Sequence, residues 1–212
     1  MKNKKFVKAL MVVVIAMFGS TAAHAEVGEC LHGQEILPSL ICYGPATLNG
    51  TTVTGKVLVF GPLKATDSQI GSLQVTGPTT LVSSTVQNMA IVEGPLNVVN
   101  SKLAVLEVLG PVIFSASSVR GNVDIRGPVS STKTKFASSL RIASDKITLI
   151  STTIDASVTI KGSAESPVLS LQNRSTVAGS VTFEGFAGVV KIDSESKVNG
   201  QILNGKLGAV TL

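Results

Sequence analysis

Residues 94–109 read GPLNVVNSKLAVLEVL, residues 110–126 read GPVIFSASSVRGNVDIR, and Gly127-Pro128 opens the next segment of the same kind. Each segment starts with Gly-Pro and then carries three short apolar alternations. Working outward, the dipeptide recurs at Gly44-Pro45, Gly61-Pro62, Gly77-Pro78, Gly94-Pro95, Gly110-Pro111 and Gly127-Pro128, longer and shorter segments alternating by one position. So short and constant a period marks a solenoid, in which one repeat is one turn stacked on its neighbours. Glycine reaches positive φ and proline fixes φ, so the pair makes a reproducible bend between turns.

Aligned on that bend, the repeats show three apolar groups. The first follows Gly-Pro (Leu63/Ala65, Leu96/Val98, Val112/Phe114). The second is a single position (Val53, Ile70, Val86, Leu103, Val119, Phe136), and the third closes the turn (Val57/Val59, Leu73/Val75, Met89/Ile91, Leu106/Val108, Val123/Ile125, Leu140/Ile142). Alternate residues of a strand point to opposite faces, so each pair aims inward around an outward residue. The pattern persists after Gly-Pro is lost, through Ile147/Leu149, Ile154 and Val158/Ile160, then Leu169/Leu171, Val177 and Val181/Phe183, then Val190/Ile192, Val198 and Ile202.

These features predict an all-β fold, a single-stranded parallel β-solenoid of about nine triangular coils, each of roughly 16–23 residues. The coils are expected over 44–205, with a tail over 206–212. The short period favours a right-handed β-helix over left-handed hexapeptide helices, whose coils are longer. No linker divides the repeats, so one domain is expected.

The N-terminus has the make-up of an export signal. Lys2, Lys4, Lys5 and Lys8 precede or flank an apolar run over 9–18, too short to span a bilayer, and Ala23-His24-Ala25 forms a small-residue cleavage site. Cleavage is expected after Ala25, in a bacterial setting, with the mature chain periplasmic, secreted or at the cell surface and free of transmembrane helices. The chain carries 18 Lys+Arg against 13 Asp+Glu, but four of those lysines leave with residues 1–25, so 14 stand against 13. The basic balance therefore belongs to the leader and gives no reason to expect a nucleic-acid partner.

Cys30 and Cys42 lie close together in residues 26–43, read as an N-terminal cap. In an oxidising compartment such a pair forms a disulfide. Another column is hydroxylic, two residues before each middle apolar position: Thr51, Ser68, Ser84, Ser101, Ser117, Thr134, Thr152, Ser175 and Ser196. Stacked hydroxyls can bond one another or corner backbone groups, and this column is read as an internal structural ladder. An ice-binding face would need a flat outward array, whereas the adjacent outward row contains Lys102, Lys135, Lys197 and Gln69.

Chemistry-bearing residues are few. The outward row of the third face places Glu107, Asp124 and Arg141 on successive coils, where they read as a cross-strand ion ladder or, alternatively, as a surface site. His32 lies in the cap, away from the repeats. Trp is absent and Tyr43 is the single tyrosine, so aromatic platforms are not expected. No cofactor, metal site or catalytic residue is predicted.

The Val-x-Gly-x-Val-x-Ile/Val-x-Gly rhythm, as in Val119-Arg-Gly-Asn-Val-Asp-Ile-Arg-Gly and Val177-Ala-Gly-Ser-Val-Thr-Phe-Glu-Gly, resembles the bactofilins. The resemblance covers about residues 44–205 and implies a right-handed β-helix of short triangular coils that forms polymers. The signal peptide and cysteine cap depart from that family. The functional expectation is an exported, non-enzymatic scaffold, adhesin-like or self-assembling unit. It would associate through the edge of its C-terminal coil or with a cell-envelope partner. The alternative is a polysaccharide-acting β-helix enzyme using Glu107, Asp124 and Arg141.

Overall fold

The computed structural model describes residues 24–163 and 166–209. The lysine-rich start and apolar run of the expected leader lie outside the described residues, as do the last three residues of the expected tail. The protein is a parallel β-solenoid of about 11 turns. Its first faces form one 11-stranded parallel sheet, and its second and third faces run together as a 17-stranded sheet. Ten turns are complete: residues 30–43, 46–60, 63–76, 79–93, 96–109, 112–126, 129–143, 146–161, 168–184 and 188–203, here called coils 1 to 10. A third-face strand, His24–Val27, precedes them and a first-face strand, Gly205–Ala209, follows. At about 4.8 Å per strand the rod is about 50 Å long.

The segment read as a cap is itself a turn. Cys30–His32 pairs with Ala46–Asn49, Ile36–Leu37 with the start of Thr52–Phe60, and Leu40–Tyr43 with its end, all parallel. Gly28 supplies its corner one turn before Gly44, at φ 101°. This explains why the turns outnumber the nine expected. The expected cleavage point, between Ala25 and Glu26, falls within His24–Val27, which pairs with Leu40–Tyr43.

The inward groups form one continuous core of buried apolar side chains. Coil 4 departs from the expected pattern. Ala90 and Val92 point inward, whereas Met89 is 38% exposed. An irregularity between Val86 and Ala90 inserts a residue ahead of the third strand, so the alternation read as starting at Met89 is shifted by one. A one-residue slip moves every side chain to the other face. Size is matched between neighbouring turns as well. Phe114 meets Phe136 edge to face at 5.1 Å, and the first-face position next along the rod holds Ser131, small enough to leave that space. The Ser131 hydroxyl is satisfied by Thr152, 3.1 Å away.

Two corner columns define the turn. At the Gly-Pro corner the glycines stand at φ between 148° and 155°. They also stack backbone on backbone: a Cβ at Gly94 would lie 2.6 Å from the carbonyl oxygen of Gly77. Glycine is required there for space as well as for torsion. At the corner after the first face, Asp67, Ser83, Asn100, Ala116, Lys133 and Ser151 all adopt φ of 49–51°. These non-glycine residues take the left-handed conformation, which glycine, Asn and Asp accept most readily.

Candidate functional site

The hydroxyl column follows directly from that second corner. Each left-handed residue turns the chain and leaves the next backbone N–H directed along the rod. The N–H groups of Ser68, Ser84 and Ser101 donate to the hydroxyls of Ser84, Ser101 and Ser117 at 3.0–3.2 Å. Each of those hydroxyls in turn donates to the carbonyl two residues back, as Ser84 does to Val82 at 2.8 Å. Thr51 and Thr152 donate their N–H groups to Ser68 and Ser175 in the same way, and Ser175 donates its own to Ser196. Thr134 donates to the Thr132 carbonyl at 3.0 Å. From Thr51 to Ser175 the column is buried, and Ser196 at its end is half-exposed. It satisfies corner backbone groups that would otherwise be orphaned, and from Thr51 to Ser175 it offers nothing to solvent.

The outer wall of the third face is where charge collects. Strand register sets Glu107 beside Asp124 and Asp124 beside Arg141. The three are therefore brought together as a row, but the ion ladder does not form. Arg141 Nη2 donates to Glu184 Oε2 at 3.1 Å, across two coils. Glu107 and Asp124 have no ion-pair or hydrogen-bond partner among the described residues. A shallow depression of about 410 Å³ lies over this row, rimmed by Met89, Asn122 and Ser139. Two like charges on adjacent strands repel one another, which a ligand hydroxyl or cation would relieve. No group of three or more His, Cys, Asp or Glu able to hold a metal ion occurs among the described residues.

The N-terminal coil holds the remaining candidates. Cys30 and Cys42 are joined by a disulfide from the first face to the third, with Cα atoms 6.2 Å apart and both residues fully buried. His32 points inward beside them. Its Nδ1 lies 2.7 Å from Glu35 Oε1, while its Nε2, 3.4 Å from Glu26 Oε1, completes no hydrogen bond. Tyr43 stacks on Phe60 with ring centroids 5.2 Å apart and planes within 5°. Register made this pair, since Tyr43 and Phe60 end the third strands of successive coils. The signal in the sequence was that each directly precedes the glycine of a Gly-Pro corner, one period apart. The two residues remain 52% and 46% exposed.

No protein-family model matches the chain, and comparisons with curated proteins and with solved structures found no match. No helix among the described residues is long and apolar enough to cross a membrane.

Proposed function

We propose that this chain is an exported, non-enzymatic scaffold that self-associates through its C-terminal coil, a bactofilin-like assembly unit adapted to the bacterial envelope. One observation carries the reading. Of the inward residues of coil 10, Val190 is buried, whereas Ile192, Val198 and Ile202 pack on the core but are only partly buried. Leu203 and Leu207 beside them are 45% and 65% exposed. Among the described residues, the strands Lys197–Val198, Ile202–Leu203 and Gly205–Ala209 each pair on one side only. Apolar surface and free strand edges together are the ordinary template for strand addition.

At the opposite end Cys30–His32 and Ile36–Leu37 also pair on one side only among the described residues, so core burial alone favours a closed dimer over a filament. In coil 1 the inward residues Cys30, His32, Leu37, Leu40 and Cys42 are all buried. Two C-terminal ends meeting about a two-fold axis would cover the partly buried core and leave the disulfide ends outside. Export is supported by the disulfide and by the leader-like composition of residues 1–25. The enzyme reading has less support, because Arg141 is engaged by Glu184 and not by either acid of its row.

Size-exclusion chromatography with light scattering on residues 26–212 tests the proposal. A dimer is expected, and Val198→Lys with Ile202→Lys should return it to a monomer with unchanged circular dichroism. A wild-type monomer at millimolar concentration overturns it.

A further inference from the structure

A second hollow lies on the third face, toward the C-terminal side of the acidic row, and its construction differs from the first. Register stacks Arg126, Ala143 and Lys161 in one outward column on coils 6, 7 and 8. Arg141 stands two residues before Ala143 on the middle strand. The short side chain of Ala143 thus leaves a gap with a cation above it, a cation below it and a guanidinium beside it. The space is about 580 Å³ and is lined also by Asp124, Gly162 and Ser163. Arg126 and Lys161 are two strand spacings apart, about 10 Å, within reach of two long side chains converging on one point.

The three cations differ in freedom. Arg141 is anchored, its Nη2 on Glu184 Oε2 at 3.1 Å, which fixes one edge of its planar fork. Neither Arg126 nor Lys161 has an ion-pair or hydrogen-bond partner among the described residues. Among the described residues Asp124 is the one acid in the lining, so these residues carry a net +2, or +1 with Glu184 counted. Ser163 is occupied: its N–H and hydroxyl both donate to the Asp145 carboxylate. The hollow therefore offers charge and donors but few acceptors. Guanidinium groups recognise planar or tetrahedral oxyanions through paired N–H donors, and an ammonium adds a point charge.

We propose that the hollow over Ala143 binds an oxyanion, the carboxylate or phosphate of an acidic ligand, held by Arg126, Lys161 and the anchored Arg141. Asp124 opposes that binding and sets its strength. This site is independent of the assembly reading, since it lies on coils 6 to 8 and not at either end.

Isothermal titration calorimetry with inorganic phosphate in one arm and a galacturonic acid hexamer in the other tests it. At low salt at least one probe should bind, and affinity should fall steeply as salt is raised because the contacts are ionic. If phosphate alone binds, a free or headgroup phosphate is the ligand; if the hexamer binds, a polyuronate is. Arg126→Ala with Lys161→Ala should weaken binding at least tenfold, and so should Ala143→Leu, which fills the hollow without touching charge. Asp124→Asn should strengthen it severalfold, the opposite of what loss of a structural or catalytic carboxylate would do. Lys64→Ala, on the first face, should change nothing. Binding of neither probe, equal affinity in the double variant, or weaker binding by Asp124→Asn overturns the proposal.

Discussion

The coils up to Gly127-Pro128 and the coils beyond it obey one architecture but are held differently. In the first group every turn from Gly44 onward closes on a Gly-Pro corner whose glycine has no room for a side chain. In the second the corners lengthen and loosen. Gly185, at φ 86°, has nothing within 4 Å of where a Cβ would stand. The two ends repeat the contrast. Coil 1 is cross-linked and its inward residues are buried, while coil 10 leaves Ile192, Val198 and Ile202 partly open and is tied back by a turn around Asp193. A solenoid draws stability from neighbours, so regular stacking stiffens the middle and each end needs its own device.

The widest gap between the halves should appear on substituting their glycines. Gly94→Ala forces a Cβ against the Gly77 carbonyl as well as a torsion reserved for glycine, and should cost about 3–4 kcal/mol in urea unfolding. Gly185→Ala meets only the torsional penalty, about 1 kcal/mol. Equal losses at the two positions would mean that the corners are not distinct.

Removing the covalent staple should erase the advantage of the N-terminal end. Cys30→Ala with Cys42→Ala is expected to cost about 3 kcal/mol, as for a loop of this length. Amide exchange should then rise in residues 30–43 and stay unchanged in coil 10. If exchange remains slow in coil 1, stacking and not the disulfide closes that end.

The hydroxyl column allows a finer comparison along one feature. Ser84→Ala leaves the buried Ser68 N–H without an acceptor and should cost about 2 kcal/mol. Ser196→Ala makes the same deletion where water can replace the hydroxyl, and about 0.5 kcal/mol is expected. A thermal denaturation series on the two variants measures the ratio.

The smallest effect concerns acid. The Ser196 hydroxyl, together with backbone N–H groups of Asn173, Ser196 and Glu195, holds the Asp193 carboxyl below its ordinary 3.8. A lowered folded value means the carboxylate stabilises the fold above its ordinary value and loses that effect as pH falls through the folded one. Amide exchange in residues 197–203, corrected for intrinsic rates, should therefore rise below about pH 4. Asp193→Asn should flatten that response. An unchanged profile would show that the turn does not hold coil 10.

Much of the rod was legible because so short a turn must reuse the same corner chemistry at each pass. Gly-Pro, the inward alternation and the hydroxyl column are local consequences of that reuse. The row Glu107, Asp124, Arg141 was legible for the same reason, since equal repeat lengths put equal positions side by side. Coil 1 was hidden because its corner is Gly28 without proline and two of its inward positions are cysteines that read as a separate cap. Met89 misled because an apolar residue in an inserted position looks like core when the insertion is not seen.

What the sequence determined by itself is therefore the repeat: its period, its three faces and, outside the inserted position of coil 4, the residues that turn inward, all set by torsion and alternation. Only the tertiary structure decided which turns stack on which and so which distant groups meet. Arg141 reaches Glu184, 43 residues away, because stacking compresses two turns into about 10 Å. Tyr43 lies on Phe60, and Ala143 becomes a hollow between Arg126 and Lys161, for the same reason. Ala116 takes a left-handed torsion that its side chain does not favour, because the corner it shares with its neighbours leaves no other path.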